Sequence, residues 1–584
     1  MNANESVAPS TRPIPMSLIL MTATVVHLPL LMMQLPLKSY DTNFHIFFAS
    51  HYVRHWFDPW NPKWYAGFSQ TTYPPLPQQW VALLSHIFGL NMAYMAVQFA
   101  AILLLVVGVY RFAALWVSPR AASFAALAAV FLGAESFLVY SAGQLGTTSA
   151  APLYLNALPF MFEWVRRGKG RALLKAVVLF AAAAAAHHAT LLFGSFFFAI
   201  PVLALVMLDH NGDDRTTWGA FWARTITIVV ITTAAVIIVL LPFWLALLHY
   251  QVTQTPIPHP SRANYILSPQ WGLNYFIIPY GALIFAIPFI IWRGSRVARL
   301  RPLMLGFWIA FLIGLGGTTP VAQDLLGRAY HVLTMERFSY WATLLALPFV
   351  GLIAAELVGR FRRKAAIPLA ILAAATCALA VAWVTYFHAA GEDLKVDSVA
   401  AWLNRDGHDQ YRYVTLGFGN QIARLAVLTD ASSVDGEWNS GRHLPELTSH
   451  GGGSLTNSKG FGESGLEALR AILRHANLYG LKWVIVRDQY YDPLLEFSGW
   501  RRVDSLNDNT IIIWTKDGVP PAAPRTATER PPHWQGVIWG LFPIGSSVLA
   551  ILVVLIPGDE PRDYDSGDHD YVMQENIVPG SVVS

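Results

Sequence analysis

Long apolar runs separated by short polar connections recur from residue 16 to residue 388 and return once near the C-terminus. Their length is the signal, because about 20 apolar residues in helical form cross a hydrocarbon core of about 30 Å. Twelve spans are predicted, at 16–37, 90–115, 120–140, 148–165, 171–186, 189–208, 219–248, 271–292, 302–319, 337–359, 365–388 and 536–556. A polar and aromatic insert at 38–75 follows the first run. The stretch LPQQWVALLSHIFG after it is too short to cross and is bounded by prolines and Gly89, so it predicts an interfacial or re-entrant helix. Beyond residue 388 the pattern shortens. Strand-like runs at 411–418, 482–486 and 510–514 alternate with helical patterns at 396–404, 420–429 and 463–478.

The expected architecture is a polytopic α-helical membrane protein of about 12 transmembrane helices carrying a small extracytoplasmic α/β domain. Its divisions are a transmembrane domain at 1–388, the α/β domain at 389–518, a Pro-rich linker at 519–535, a last span at 536–556 and a disordered cytoplasmic tail at 557–584. Composition agrees, with 54% hydrophobic and 13% charged residues. The net charge of +4 is spread over short loops rather than gathered on a soluble face, which excludes a nucleic-acid partner. Arg111 and Arg120, Arg166 to Lys175, Arg215 and Arg224, Arg293 to Arg301, and Arg360 to Lys364 alternate with loops almost free of Lys and Arg. The basic loops therefore face the cytoplasm, and the 38–75 insert faces the other side. The one cysteine, Cys377, lies in an apolar run, so no intramolecular disulfide forms. The first run reads as an uncleaved helix.

Candidate chemistry collects in the insert. Asp41 and His45 stand four residues apart, which on a helix places carboxylate and imidazole on one face; His51 and His55 repeat the spacing, and Asp58 follows. Capping of a helix end explains Asp41 and His45 equally well from spacing alone, and Trp and Tyr at this depth are ordinary membrane-interface anchors. His187 and His188 close an alanine run at a predicted outer turn, where a histidine pair suits phosphate or a divalent metal. Glu135 falls inside a span, where a lipid-facing carboxylate costs about 2.5–3.5 kcal/mol, so it lines a polar cavity. Gln144 opens a span on the outer face, within reach of a sugar. In the α/β segment, GFGNQ at 417–421 lacks a P-loop lysine and a dinucleotide fingerprint. Asp435, Glu437, Asn439 and Arg442 more naturally structure a long loop than meet a substrate.

A first span, an Asp opening the first outer loop, a WFDPW turn, a Gly67-Phe68 turn and a closing Tyr73-Pro-Pro-Leu resemble the polytopic GT-C glycosyltransferases. The pattern is similar, more narrowly, to the bacterial membrane proteins labelled "6-pyruvoyl-tetrahydropterin synthase-related", although nothing in the composition supports pterin chemistry. The resemblance implies an enzyme of the inner (cytoplasmic) membrane and cell envelope that moves a sugar from a polyprenyl-phosphate donor to an extracytoplasmic glycan, lipid or protein acceptor. It makes Asp41 the catalytic carboxylate, with His45 beside it. Arg337, at the outer end of a span and next to Glu336, supplies a planar donor fork for the lipid phosphate. Gln144, Glu135, His187, His188, His55, Asp58 and Tyr73 complete the expected substrate site, and Asp41 and His188 are the candidates for holding a divalent metal, Mg or Mn. Two other readings stay open: a membrane transporter, which would place polar groups near the midplane of two related halves, and a catalytically inactive membrane scaffold of the same fold.

Overall fold

The computed structural model describes residues 12–210, 217–249, 256, 258–387, 394–450, 453–523 and 530–556. Residues 524–529 of the expected linker and all of the expected tail at 557–584 lie outside these residues. Eight described helices are long and apolar enough to cross a membrane, fewer than the twelve expected spans. Three reasons account for the difference. The helix α1 (Met16–Met32) has 17 residues, and the run at 302–319 gives only the 14-residue helix Arg301–Gly314. The run at 148–165 lies in Leu145–Arg167, a helix absent from those eight because of its polar content and internal prolines. The runs at 171–186 and 189–208 join into one helical element, Gly170–Asp209.

That last element is not straight. Its 40 residues would place the ends about 60 Å apart in a continuous helix. Yet Asp209 pairs with Arg166, just before the first arm, at 3.6 Å, and Tyr154 packs on both Phe180 and Phe198. The chain therefore folds back at His187, whose φ of −163° and ψ of 99° leave the helical region, where the sequence expected a turn. The same reasoning applies to Leu76–Ala113. Gln78 lies 2.8 Å from His45 while Tyr94 accepts a hydrogen bond from Thr42 at 3.0 Å, so two positions sixteen residues apart meet one helical turn. Gly89, at φ +72° and ψ 161°, makes the bend, and the segment before it, expected as an interfacial or re-entrant helix, runs on into the helix after it. A side chain at that φ is strained, which suits glycine.

The helices gather into one bundle with chemically distinct ends. At one end Arg166 and Arg299 converge on Asp209, Arg224 donates to the Arg166 carbonyl at 2.9 Å, and Arg293 pairs with Glu356 at 3.9 Å. The last helix, His533–Val554, ends here, with Lys175 donating to the Ile556 carbonyl at 2.8 Å. The other end carries the 38–75 insert, folded as α2 (Thr42–Arg54), a two-residue hairpin of β1 (Trp60–Asn61) and β2 (Phe68–Ser69), and a 3₁₀ turn.

The polar segment after the bundle forms a four-stranded sheet in the order β3 (Arg412–Leu416), β4 (Leu481–Val486), β6 (Ile511–Thr515), β5 (Arg501–Leu506). β3 and β4 are parallel, with helices Gln421–Leu428 and Gly462–Arg474 in the crossover; β6 runs antiparallel to both its neighbours. The edge strand β5 was not expected: its RRVDSL sequence is largely exposed and shows no apolar alternation.

The insert does not stand free over the bundle. Phe44, Phe47 and Phe48 of α2, with Trp64, Tyr65 and Phe68 of the hairpin, share one buried cluster with Val414, Leu416, Val484 and Trp514 of the sheet. Trp64, Tyr65 and Phe68 are fully buried, so they are core residues and not interface anchors. Hydrogen bonds fix the register: Ser433 N donates to the Lys63 carbonyl at 2.7 Å, and Ala66 N to the Ser433 carbonyl at 3.2 Å.

Helix Glu336–Phe361 crosses helix Pro119–Val130 at a glycine. A Cβ at Gly351 would lie 2.2 Å from the Ala121 carbonyl oxygen, whereas one at Gly545 of the last helix would meet nothing within 4 Å. Gly351→Ala is expected to lower the thermal unfolding midpoint of the detergent-solubilised protein by the equivalent of about 1–3 kcal/mol, the usual penalty of overpacking. Gly545→Ala is the control, and equal midpoints for the two variants would show that the bundle opens at that crossing without penalty.

Candidate functional site

The site forms where the start of α2 meets the turn between helices Pro119–Val130 and Leu145–Arg167. Asp41 is the N-cap residue of α2, but its side chain accepts no capping hydrogen bond. Its backbone supplies the anchor: Tyr40 N donates to the Ser141 carbonyl at 3.0 Å and Asp41 N to the Ala142 carbonyl at 2.8 Å. Gly143, at φ +73°, allows this approach, since a Cβ there would fall 2.3 Å from the Ser39 hydroxyl and 2.7 Å from Thr42 N. The carboxylate thus sits at a helix start yet is left uncommitted by it, which is not the capping role that spacing alone allowed.

Opposite lies the start of helix Glu336–Phe361. Gln144 links its two charged residues, donating through Nε2 to Glu336 Oε1 at 2.7 Å and accepting from Arg337 Nε at 3.1 Å. Thr334 donates to the same Glu336 oxygen. The Arg337 charge acts on Asp41, His45 and Tyr73 together. Burial raises the Asp41 carboxyl from 3.8 to about 7; Arg337 opposes that rise and Glu336 adds to it. Burial, aided by Arg337, lowers His45 to about 3, so its imidazole is neutral at physiological pH. Gln78 sits 2.8 Å from His45 Nδ1 and fixes the ring.

His187 and Tyr73 form the far wall. Their rings are 6.5 Å apart, and a Cβ at Gly146 would lie 2.7 Å from the Tyr73 hydroxyl and 3.4 Å from His187 Cδ2. His187 Nδ1 bonds to Thr190 Oγ1 at 2.8 Å, whereas His188 packs at a tilt on Phe243 at 4.7 Å. Of the pair, His187 is the one that meets Tyr73, the break in the helix at His187 separating the two rings.

The structure thus brings Asp41, His45, Tyr73, Gln144, His187, Glu336 and Arg337 to one place. It sets three others apart. His55 and Asp58 lie at the far end of α2, about 20 Å along a 13-residue helix, where His55 packs on His51 at 5.1 Å and Asp58 holds Arg530. Glu135 is buried deeper in the bundle against Tyr340, one helical turn beyond Arg337. Among the described residues no group of three or more His, Cys, Asp or Glu side chains is placed to hold a metal ion.

Two polar residues escaped the sequence reading. Gln78, fully buried in an otherwise apolar helix, carries its own signal in that burial, because polar groups there need a partner. His259, whose Nδ1 lies 2.8 Å from the Ser261 hydroxyl and which faces Glu336, had none, since its loop reads as a connection. In the α/β segment Asp435 accepts from Thr456 N at 2.9 Å and shapes its loop as expected.

No family model matches the chain, and no curated protein matches it either. Solved structures do. The mycobacterial arabinofuranosyltransferase AftD aligns over 88% of this chain at 14% identity and a TM-score of 0.53, and the chain spans only 40% of that protein's length. ArnT from Cupriavidus metallidurans, bound to undecaprenyl phosphate, aligns over 89% of this chain and 100% of its own at 14% identity and a TM-score of 0.51. The Archaeoglobus fulgidus oligosaccharyltransferase, tethered to an acceptor peptide, aligns over 83% of this chain and 70% of its own at 13% identity and a TM-score of 0.51. These are GT-C glycosyltransferases, and at such identity the likeness establishes a shared fold of multi-pass membrane proteins.

The burial of Asp41 has a thermodynamic signature. A carboxyl near 7 in the folded chain and near 3.8 when unfolded binds more protons folded, so its contribution to stability falls as pH rises from about 4 to about 7 and is level above. The parent's unfolding midpoint should therefore drop across that window by more than the midpoint of Asp41→Asn. Parallel pH profiles for the two would mean that Asp41 is solvated.

Proposed function

We propose that this chain is a membrane glycosyltransferase that transfers a sugar from a polyprenyl-phosphate donor to an acceptor on the side of the membrane facing the Asp41 loop. The supporting observation is the pairing of an uncommitted, partly desolvated carboxyl with a single guanidinium at the loop end of a GT-C fold. A general base works best with a pKa near the operating pH, and a carboxyl near 7 meets that condition where an ordinary one near 4 does not.

In this reading Asp41 takes the proton of the acceptor hydroxyl as the hydroxyl oxygen bonds to the anomeric carbon. The bond from that carbon to the phosphate oxygen breaks, and its electron pair leaves on the polyprenyl phosphate. Arg337, held by Gln144 through Nε, offers its remaining N–H donors to the departing phosphate. Neutral His45 orients the reacting groups without adding charge. Tyr73 and His187 bound the sugar pocket. Glu336 accepts from Gln144 and so steadies the amide that holds Arg337.

The division into a transmembrane part to residue 388 and an α/β domain from 389 to 518 belongs to the same proposal, as does an extracytoplasmic site in an inner membrane. So does the narrower likeness to the membrane proteins bearing the pterin-synthase label, whose name does not describe this chemistry. Sidedness is tested by single cysteines at exposed Ser464 in the α/β segment and Ser295 at the basic end, because the native Cys377 is buried. An impermeant maleimide should label Ser464→Cys in outer-permeabilised cells and spare Ser295→Cys; the reverse pattern would put the site in the cytoplasm.

Two substitutions test the chemistry. Asp41→Asn keeps the shape of the side chain and is expected to retain undecaprenyl phosphate in native mass spectrometry, while transfer falls at least about a hundredfold. Arg337→Lys keeps the charge but loses the planar fork, so the lipid should bind about tenfold more weakly in a folded protein. Near-parental transfer by the Asn variant removes Asp41 as the base, and unchanged lipid binding by the Lys variant removes Arg337 from the phosphate.

A further inference from the structure

A pocket outside the Asp41 site lies in the α/β segment, on the side of the sheet turned away from α2. Val414, Val484 and Trp514 share a core with the insert, whereas their strand neighbours Tyr413, Trp483 and Ile513 pack with Val399 and Trp402 of helix Val396–Leu403 on the other side. Where that second face meets β5, a cavity of about 350 Å³ opens. Its floor is buried and aromatic: Trp402 and Trp483 meet edge-on at 4.9 Å, and the His408 ring stacks on Trp402 at 3.9 Å. Its rim is charged and exposed, formed by Arg405, Arg501 and Asp517.

A bulge in β5 helps to build this pocket. Arg501 pairs with Thr515 and Asp504 with Ile513, so one extra residue sits between them and returns Asp504 to the face that Arg501 occupies. Regular alternation would have turned Asp504 away. Both carboxylates at the pocket are committed to the protein. Asp504 Oδ2 accepts from Trp402 Nε1 at 2.7 Å and from Arg405 at 3.2 Å, while its Oδ1 accepts from Ser505 N at 2.8 Å. Asp517 accepts Nε and Nη2 of Arg501 at 3.1 and 3.0 Å. Two polar groups of the lining are left over. Thr515 is 3% exposed, and its Oγ1 has no hydrogen-bond partner among the described residues. The Lys482 ammonium rests over the rings of Tyr411 at 4.1 Å and Trp483 at 5.3 Å, with no carboxylate in ion-pair contact among the described residues.

A cation held over ring faces keeps its N–H donors, and a buried hydroxyl can both donate and accept. An anion that also carries hydroxyl groups satisfies the two together. The cavity lies at the small end of the range for small-molecule sites, about 300 to 1,000 Å³, so it has room for one sugar ring and more than a bare phosphate needs. Its aromatic floor suits the C–H face of such a ring. We propose that this pocket binds a sugar bearing a carboxylate or a phosphate, with the charged group at Lys482 and a hydroxyl at Thr515. The site is separated from the Asp41 cleft by the thickness of the sheet, and it goes beyond the transfer reading without resting on it.

The test uses the full chain in nanodiscs, with D-glucuronate, D-glucose 6-phosphate, methyl α-D-glucopyranoside and inorganic phosphate as probes in isothermal titration calorimetry. Glucuronate or glucose 6-phosphate should bind the parent, and the tighter of the two tells whether the charge is a carboxylate or a phosphate. The neutral glucoside and inorganic phosphate each lack one of the two contacts and should bind at least about tenfold more weakly. Lys482→Gln should weaken the anionic sugar about tenfold, as expected on losing a hydrogen bond to a charged group, and Thr515→Val, which keeps the shape, several-fold. Both variants should retain undecaprenyl phosphate as the parent does. Failure of both anionic sugars to bind overturns the inference, as does equal binding of the neutral glucoside or of bare phosphate, or unchanged sugar binding by Lys482→Gln. Loss of the lipid together with the sugar in a folded Lys482→Gln overturns it as well, because the site would then not be separate. Should a variant not fold, acetylation of the parent decides: the bound sugar is expected to protect Lys482 several-fold, and unprotected Lys482 overturns the inference.

Discussion

The aromatic face of α2 is buried in the core of the β-sheet, and the position of Asp41 at the site depends on that burial. Phe44, Phe47 and Phe48 enter the sheet's own hydrophobic cluster beside Trp64 and Phe68. Each large side chain so buried contributes roughly 1.5–3 kcal/mol, enough together to hold a loop that few hydrogen bonds would hold. Asp41 opens the same helix three residues before Phe44, so docking the aromatic face sets the carboxylate's direction. The opposite face of α2 meets the bundle through His45 and Gln78. One helix is thereby shared between two cores, and the cleft lies at its start.

Charge is arranged sparingly around that start. Arg337 is within electrostatic reach of Asp41, Glu336, His45 and His187. Arg337 is half-buried and gives its Nε to the neutral Gln144. Burial outweighs this cationic neighbour, which is why the Asp41 carboxyl stays near 7. In the proposed reaction the polyprenyl phosphate brings its negative charge to Arg337.

Two bends bring distant stretches of chain to this cleft. The fold-back at His187 puts an imidazole beside Tyr73, and the bend at Gly89 lets Gln78 and Tyr94 reach the same turn of α2. The first was legible, because two apolar runs of spanning length met at a histidine pair. The second was legible as a glycine after a short, proline-bounded run, although the helix continues across it. The edge strand β5 was not, since an exposed edge leaves no apolar period to read. His55 and Asp58 show the limit of proximity in sequence, because α2 carries them away from Asp41 along its own axis.

What the sequence determined by itself was set by length and local period. The apolar runs, the basic loops that gather at one end of the bundle, and three of the four strands all follow from patterns that need no partner to be read, whereas Asp41 and Arg337 were singled out by the resemblance. The tertiary structure decided which aromatics are core and which polar groups meet at the site. Trp64 reads as an interface anchor until a sheet built from residues more than three hundred positions away covers it, and Trp438 reads as a loop residue until it packs on Tyr73. Burial and electrostatic fields are sums over neighbours in space, and a pattern along the chain carries no record of which neighbours folding will supply.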